Sequence, residues 1–396
     1  MSDVKAQYEA FPYPERNPAD EKKRLITGSP SHPLELDHHL FGGLRDWSKT
    51  TRILVAGGGT GDALIQLAQV LTSASKPYEI TYIDLSTASR KIAQARAKMR
   101  GLKGIEFITG SLLDAAQYGP FDYIDCCGVL HHLPEPQQGF DALAQALAPG
   151  GGIGLMVYAP YGRSGVYPLQ QAFGALTAGL PPAQQLAKAQ EIYAGLPDGH
   201  PFKRNPRLVD HEQSDAGFYD LLLHSQDRPY RIDELAECLE QAGLELAGVP
   251  ERYLYDLTRF CAVPKGMDAV DAMALCEKLD GTLKTHVVYA RAAGGSAPKA
   301  GGTDNAVPHL KGVSGMALAQ QVAKAGAVRV TLNGEQRRVA VPKAAASVLA
   351  GVDGRRDIAA LKAGCGLDAA AWSGCWPTAS AALEDFGLLL YSRLLV

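Results

Sequence analysis

The sequence predicts an α/β chain: a mostly parallel sheet with helices on both faces, then a largely helical middle region and a small winged-helix-like C-terminal domain. Three observations carry this expectation. Between Arg52 and Tyr158, short and nearly continuous apolar runs alternate with amphipathic stretches, as in strands buried on both faces between crossover helices. Beyond Ala159 helical periodicity dominates, with irregular stretches between. Near the end, an Asn333-Gly334 pair sits between two alternating runs, which is a hairpin signal.

Residues 1–50 are rich in proline, histidine and aromatics and read as an ordered arm with short helices. Residues 51–160 then give ILVA (Ile53 to Ala56) as a first strand and Asp62 to Ser73 as a helix. Glu79 to Asp84 is a second strand, followed by a helix from Thr87 to Met99. IEFITG and FDYIDCCGVL supply the third and fourth strands. FDALAQALAPGG reads as a helix closed by glycine, and IGLMVYA as a fifth strand. Within 161–291, residues 166–196 and 231–243 look helical, while 200–230 is irregular and rich in His, Arg, Asp and Tyr. AAGGSAPKAGGTDNA (292–306) has the composition of a flexible linker. Residues 307–396 form the last unit, the hairpin followed by helices at 343–350, 357–363 and 378–386.

Composition narrows the function. The 396 residues are 46% hydrophobic and 20% charged, with a net charge of -3. That is the balance of a soluble globular protein and gives no electrostatic reason for a nucleic-acid or membrane partner. The polar, acid-bearing N-terminus is expected to be neither signal nor transit peptide. No apolar run approaches the roughly 20 residues needed to span a bilayer. The seven cysteines include no C-x-x-C pair, and Cys126-Cys127 lies on an apolar run where buried thiols are expected. A cytoplasmic location follows as the expectation.

The chemistry gathers at the ends of the apolar runs. Val55-Ala56-Gly57-Gly58-Gly59-Thr60-Gly61-Asp62 joins a strand to a helix. Glycines there permit a sharp turn and close approach of a ligand to backbone, and the helix start favours an anionic group. Asp84 ends the second strand, where an acid can accept both hydroxyls of a ribose. In the dinucleotide frame G-x-G-x-x-G, Asp62 would replace the third glycine. An acid there would repel a pyrophosphate, whereas a ligand carrying an ammonium tolerates it. Gly110-Ser111-Leu112 closes the third strand, and Cys127-Gly128-Val129-Leu130-His131-His132-Leu133 the fourth. Such folds bind ligands at that carboxyl edge. The sequence is Rossmann-like in this general sense.

Over about residues 50–160, VAGGGTG, the strand-end Asp84, GSLLD, GVLHHL and LAPGGGIGLMVY stand in the order and spacing of one family. The chain resembles the class I S-adenosylmethionine-dependent methyltransferases. That resemblance implies S-adenosyl-L-methionine as cofactor and S-adenosyl-L-homocysteine as product. It implies that Gly57, Gly58, Gly59 and Gly61 line the methionine part, that Asp84 holds the ribose, and that Leu85, Ser111 and Leu112 border the adenine. Gly128 would offer backbone near the sulfonium. Many members have an acid where Val55 stands, so this chain departs from the pattern there.

A wider and looser similarity rests on Tyr8-Glu9-Ala10-Phe11-Pro12-Tyr13-Pro14, on Tyr158-Ala159-Pro160-Tyr161-Gly162-Arg163, and on Gly217 to His224 with Gln226-Asp227. It is to bacterial methyltransferases with helical regulatory regions, and more loosely to rickettsial-type protein lysine methyltransferases. A homodimer through the middle or C-terminal region is implied by that resemblance only.

Methyl transfer from a sulfonium needs no metal and no covalent intermediate, so alignment of the nucleophile and removal of its proton are the protein's tasks. His131, His132, Tyr13, Tyr158 and Tyr161 are the candidate catalytic residues. His32 and His38-His39 lack acids or cysteines at ligand spacing, and no metal site is expected. The C-terminal helices are mostly alanine and leucine, which suits packing or docking rather than nucleic-acid reading. The extent of the accessory regions favours a protein side-chain nitrogen as acceptor. A small metabolite is the alternative within enzymes, and a cofactor-binding regulatory or interaction module the alternative outside them.

Overall fold

Seven strands form the central sheet, in the order β3-β2-β1-β4-β5-β7-β6. The computed structural model describes residues 3–295 and 299–396. The arm supplies α1 (Asp3–Ala10) and α2 (Pro33–Phe41). Alternation then runs β1 (Thr51–Ala56), α3 (Asp62–Ser73), β2 (Tyr78–Asp84), α4 (Thr87–Met99), β3 (Ile105–Thr109), β4 (Phe121–Cys127), α5 (Pro136–Gln145) and β5 (Leu147–Tyr158). The first five strands are parallel, and β1 and β4 are neighbours. Chain order therefore reverses between them, which opens a crevice at their carboxyl ends.

The sequence expectation stopped the sheet at Ala159. In the structure it does not stop there. After α6 (Val166–Leu176), α7 (Pro182–Ala194), α8 (Asp210–Gln213), α9 (Asp215–Leu222) and α10 (Ile232–Gln241) come β6 (Leu244–Gly248), α11 (Ala269–Asp280) and β7 (Thr285–Ala292). β7 pairs antiparallel with both β5 and β6. The region 161–291, read as mainly helical, thus completes the sheet. A second correction concerns α5, which ends at Gln145, while Leu147 to Gly152 joins β5 with a register shift beside Phe121 and Tyr123. Proline at 149 cannot continue a helix, and three glycines favour an extended, irregular start.

Two apolar cores cover the sheet. One packs Ile53, Val55, Leu64, Leu67 and Tyr82 with Leu36 of α2. The other packs Leu54, Ile83, Ile124, Phe140 and Leu155 with Leu235 and Leu239 of α10. α6, α7 and α9 share a third core around Phe173, Phe202 and Leu222, stacked above the sheet's carboxyl edge through Phe11 of the arm.

The C-terminal unit holds β8 (Pro308–Leu310), α12 (Gly315–Ala325), the hairpin β9 (Ala327–Leu332) and β10 (Glu335–Ala340), α13 (Ala346–Ala350), α14 (Ile358–Gly364), α15 (Ala369–Asp385) and β11 (Leu389–Tyr391). Asn333 and Gly334 both take left-handed φ, 49° and 79°, as a two-residue hairpin turn requires. α12 was not anticipated, and α15 begins nine residues before the helix expected at 378. The linker expectation falls partly on 296–298, outside the described residues. Its far end is fixed, since Asp304 and Ala306 carbonyls accept from Ala359 and Ile358. This unit docks on α2: Ser392 Oγ donates to Asp37 at 2.6 Å and the Tyr391 N–H to His38 Nδ1 at 3.1 Å. His32 caps α2 and His39 stacks on Tyr289, so these three histidines are structural.

Candidate active site

The loop after β1 is held by its neighbours. Gly57 has φ 67°, and a Cβ there would fall 2.5 Å from Val129. A Cβ on Gly59 would lie 2.9 Å from the Tyr13 carbonyl oxygen. Both contacts leave room for hydrogen only. Asp84, at the end of β2, accepts from the Gly59 N–H at 2.8 Å and the Ser86 N–H at 2.7 Å, one on each oxygen. Each oxygen keeps a lone pair for a further donor. Burial raises the Asp84 pKa, and the two N–H groups oppose that shift.

The arm lies across these strand ends. The Tyr8 carbonyl accepts from Ser86 Oγ at 3.0 Å, and the Pro14 carbonyl from Thr60 Oγ1 at 2.6 Å. The Glu9 carboxylate accepts from the first N–H groups of α4, at Thr87 and Ala88, a favourable place for an anion. Arg16 pairs with Asp62 at 2.7 Å, and buried Arg96 binds Asp62 and Glu21. This corrects the reading of Asp62. Its charge is matched by two arginines, so it does not select against a pyrophosphate.

At the end of β4 the chain passes Gly128 into a short turn carrying His131 and His132, both buried. His132 Nδ1 lies 2.8 Å from the Gln226 carbonyl oxygen. A carbonyl can only accept, so Nδ1 carries a hydrogen, and in the neutral ring the lone pair is on Nε2. The Gln226 N–H donates to His224 Nδ1 at 3.1 Å, so His224 is neutral with its hydrogen on Nε2. Burial and His132 lower the His224 pKa, in agreement. His132 and His224 rings stack at 3.7 Å. Tyr8 and Tyr158 hydroxyls each donate to Asp220, at 2.9 and 3.2 Å. Burial raises Asp220 despite these bonds. Arg163 lies 3.6 Å from the Tyr158 ring centroid and binds Asp227 Oδ2 at 3.1 Å, where Gln170 also donates at 2.9 Å.

Two sets of side chains bring one ligand atom each within 4.8 Å of one another: His132–Asp220–His224 and His131–His132–Asp227. They differ in what they lack. In the first, tyrosines donate to both Asp220 oxygens and His224 Nε2 carries hydrogen, so donors are already in place. In the second, Asp227 Oδ1 and both His131 nitrogens are buried without a partner among the described residues. Burial, with His132 and Arg163 close by, lowers the His131 pKa well below its ordinary value, so the ring is neutral. Unpaired polar atoms there cost free energy that a bound group would recover. Arg163 beside Asp227 disfavours a divalent cation and leaves a hydrogen-bond donor as the better complement.

The structure brings Tyr13, Tyr158, His131 and His132 to one place; the Tyr13 pKa is raised by burial and by nearby Asp220. Tyr161 is elsewhere. It starts a turn that sends Arg163 inward, while its own charged neighbours are Glu277, Arg231, Asp233 and Glu234. Leu85 is exposed, and the Ser111 hydroxyl oxygen accepts from the Leu113 N–H, capping the turn that begins at Leu112. Tyr8, Arg163, Asp220, His224 and Asp227 carried no assigned role in the sequence reading. They sit in segments it singled out, but nothing in local spacing links them.

Alongside this cluster a cleft of about 560 Å³ opens between α1, α6 and α7, with His224 and Asp227 among its walls.

Residues 54–153 match the family described as "Methyltransferase domain". An uncharacterized protein of Synechococcus sp. is 34% identical over 255 residues, covering 63% of this chain and 60% of that protein. A ubiquinone biosynthesis O-methyltransferase of Paracidovorax citrulli is 35% identical over 104 residues, 26% of this chain and 41% of that one. The chain thus spans only part of the relatives it matches. Among solved structures, PKMT2 from Rickettsia typhi superposes with TM-score 0.63 at 14% identity, over 93% of this chain and 76% of that one. Its complex with AdoHcy gives TM-score 0.60. The strand order, the glycine loop with its strand-end acid and the matched region lead to one conclusion: residues 54–153 of this chain form a methyltransferase domain of Rossmann-like fold.

Proposed function

We propose that the chain transfers a methyl group from S-adenosylmethionine to a side-chain nitrogen of a protein. One observation carries the choice of acceptor. Asp227 Oδ1 and His132 Nε2 offer lone pairs to a common space with His131, whose neutral ring adds one lone pair and one N–H, and a primary amine supplies N–H groups to the acceptors of such a set. The cofactor would contribute an electrophilic methyl group on a sulfonium, and the residues at hand fit it. Asp84 would accept the ribose hydroxyls on its free lone pairs. Gly57, Gly58, Gly59 and Gly61 would admit the amino-acid portion to bare backbone, with Gly128 beside the sulfonium. Leu85, Ser111 and Leu112 would border the base, Ser111 with the O–H that remains after its oxygen accepts from the Leu113 N–H.

The chain's own groups then have distinct tasks. His132 Nε2 receives the proton that an ammonium must lose before attack, its tautomer fixed by the Gln226 carbonyl. His131 and Asp227 orient the remaining N–H bonds. Asp220, with Tyr8 and Tyr158, supplies a buried negative field beside the cationic reactants. The arm excludes water.

The similarity to ubiquinone biosynthesis O-methyltransferases supports a second reading, a hydroxyl acceptor on a small metabolite, for which His132 would serve equally as base. Incubation with radiolabelled S-adenosylmethionine and cell lysate separates these readings. Label in polypeptide bands supports the first; label confined to small molecules supports the second. Cofactor binding with no label in any fraction would leave a regulatory module.

A further inference from the structure

We infer that the cleft between α1, α6 and α7 is the acceptor site, and that it takes an uncharged polar stretch of polypeptide whose amine reaches inward to His132. This rests on the methyl-transfer reading above and names what that reading leaves open, the scaffold carrying the nucleophile.

Position is the first ground. The cleft measures about 560 Å³, inside the range of about 300–1,000 Å³ typical of ligand sites. His224 and Asp227 are among its walls. His224 stacks on His132 at 3.7 Å, and the Asp227 carboxylate lies within 4.8 Å of the His131 and His132 nitrogens. A group at the inner end of the cleft is therefore one side chain away from the acceptor-rich cluster.

Chemistry is the second. Among the described residues no lysine or arginine lines the cleft, and the one carboxylate there, Asp227, is matched by Arg163. Phosphate- or carboxylate-bearing acceptors find no counter-charge there. The walls offer amides instead. Two of these, Gln170 and Gln185, hold the walls together through Leu221, Asp227, Thr177 and Tyr219. Gln7 of α1 and Gln171 of α6 also line it. Amide side chains pair with peptide groups as donor and acceptor at once. A long hydrocarbon chain would strand them.

Shape is the third. Gln171 and Ser225 are exposed while His224 is 5% exposed, so the cleft runs from open surface to buried floor. Such a path suits one side chain of a longer polymer. A free metabolite is usually buried over most of its surface.

Gly174 lines this cleft, lies in α6 and has nothing within 4 Å of the position a Cβ would take. Gly174→Trp therefore adds the bulk of an indole to the cleft wall. Three measurements on wild type and variant decide the matter: S-adenosylhomocysteine affinity by calorimetry, transfer of radiolabel to lysate polypeptides, and saturation-transfer NMR of the probe acetyl-Ser-Gly-Lys-Gly-Ser-amide with S-adenosylhomocysteine present. The expected result is affinity within twofold, polypeptide labelling reduced at least tenfold, and peptide saturation lost in the variant. Equal polypeptide labelling by both proteins, label in small molecules alone, or no peptide saturation in wild type would overturn the inference while leaving methyl transfer intact. Failure of wild type to bind S-adenosylhomocysteine would instead overturn the methyltransferase reading beneath it.

Discussion

His132 Nδ1 donates to the Gln226 carbonyl oxygen across 2.8 Å, a contact between two residues 94 positions apart in the chain. It fixes which nitrogen of His132 faces the site as a base. His131, its neighbour, has no such tether on either nitrogen. The two adjacent histidines, indistinguishable in sequence, are thereby assigned different tasks.

His132→Ala should therefore lower kcat by about 10²–10⁴-fold, the usual contribution of a positioned general base, and leave S-adenosylhomocysteine affinity within twofold. Single-turnover methylation with the cofactor saturating would separate the chemical step from binding. A variant that kept its rate would remove the base from His132.

Asp84 is expected to carry cofactor affinity. Its oxygens already hold the glycine loop and the start of α4 through Gly59 and Ser86. Asp84→Ala loses both anchors and the ribose contacts. Hydrogen bonds to a charged group contribute about 1.5–3 kcal/mol each, so calorimetric affinity should fall by at least about tenfold for one such bond. Equal affinities would refute the ribose role. Asp84→Asn should fall between, since one acceptor oxygen remains.

How much of this could be read in advance depends on range. The strands up to β5 and their helices follow from local apolar runs, and the glycine loop and Asp84 lie within 30 residues of one another. The short LELAG and THVVYARA segments became β6 and β7 although neither has the continuous branched-apolar character of the earlier strands. Their place was set by pairing with β5. Tyr8 and Asp220 are joined across 212 positions, and no spacing rule reaches that far. After β5 the sequence points to Tyr161 and gives Arg163 no role, yet the turn that follows sends Arg163 inward. Asp62 misled for the same reason, since its partners Arg16 and Arg96 come from other elements.

The arm should act as a lid on cofactor release. It crosses the strand ends through four ties: Tyr8 to Ser86, Glu9 to α4, Pro14 to Thr60 and Arg16 to Asp62. The Arg16–Asp62 pair is partly exposed, with side chains 28% and 29% accessible, so its loss should be modest. Arg16→Ala is expected to speed S-adenosylhomocysteine dissociation about threefold to tenfold, equivalent to about 0.7–1.4 kcal/mol, with a smaller change in kcat where release is not limiting. Stopped-flow displacement reads the rate directly. Dissociation unchanged in Arg16→Ala and in Glu9→Gln together would rule out a lid.

Stability should depend on pH through Asp125, buried in β4 below the site. Burial pushes its carboxyl up to about 7, against smaller lowering contributions from Ser31 and Tyr123. One of its oxygens has no partner among the described residues. In the unfolded chain the same group titrates near 3.9. Between about pH 4 and 7 the folded state holds the extra proton, so the stability tied to the neutral carboxyl is complete below about pH 4. It declines as pH rises, by up to about 4 kcal/mol, and levels off above pH 7. Asp125→Asn keeps the shape and removes the titration. The difference in Tm between variant and wild type should be smallest near pH 4.5 and grow in the variant's favour toward pH 8. Parallel Tm curves for the two proteins from pH 4.5 to 8 would mean that Asp125 ionises in the fold at no cost, and that the buried face of β4 is better solvated than its packing indicates.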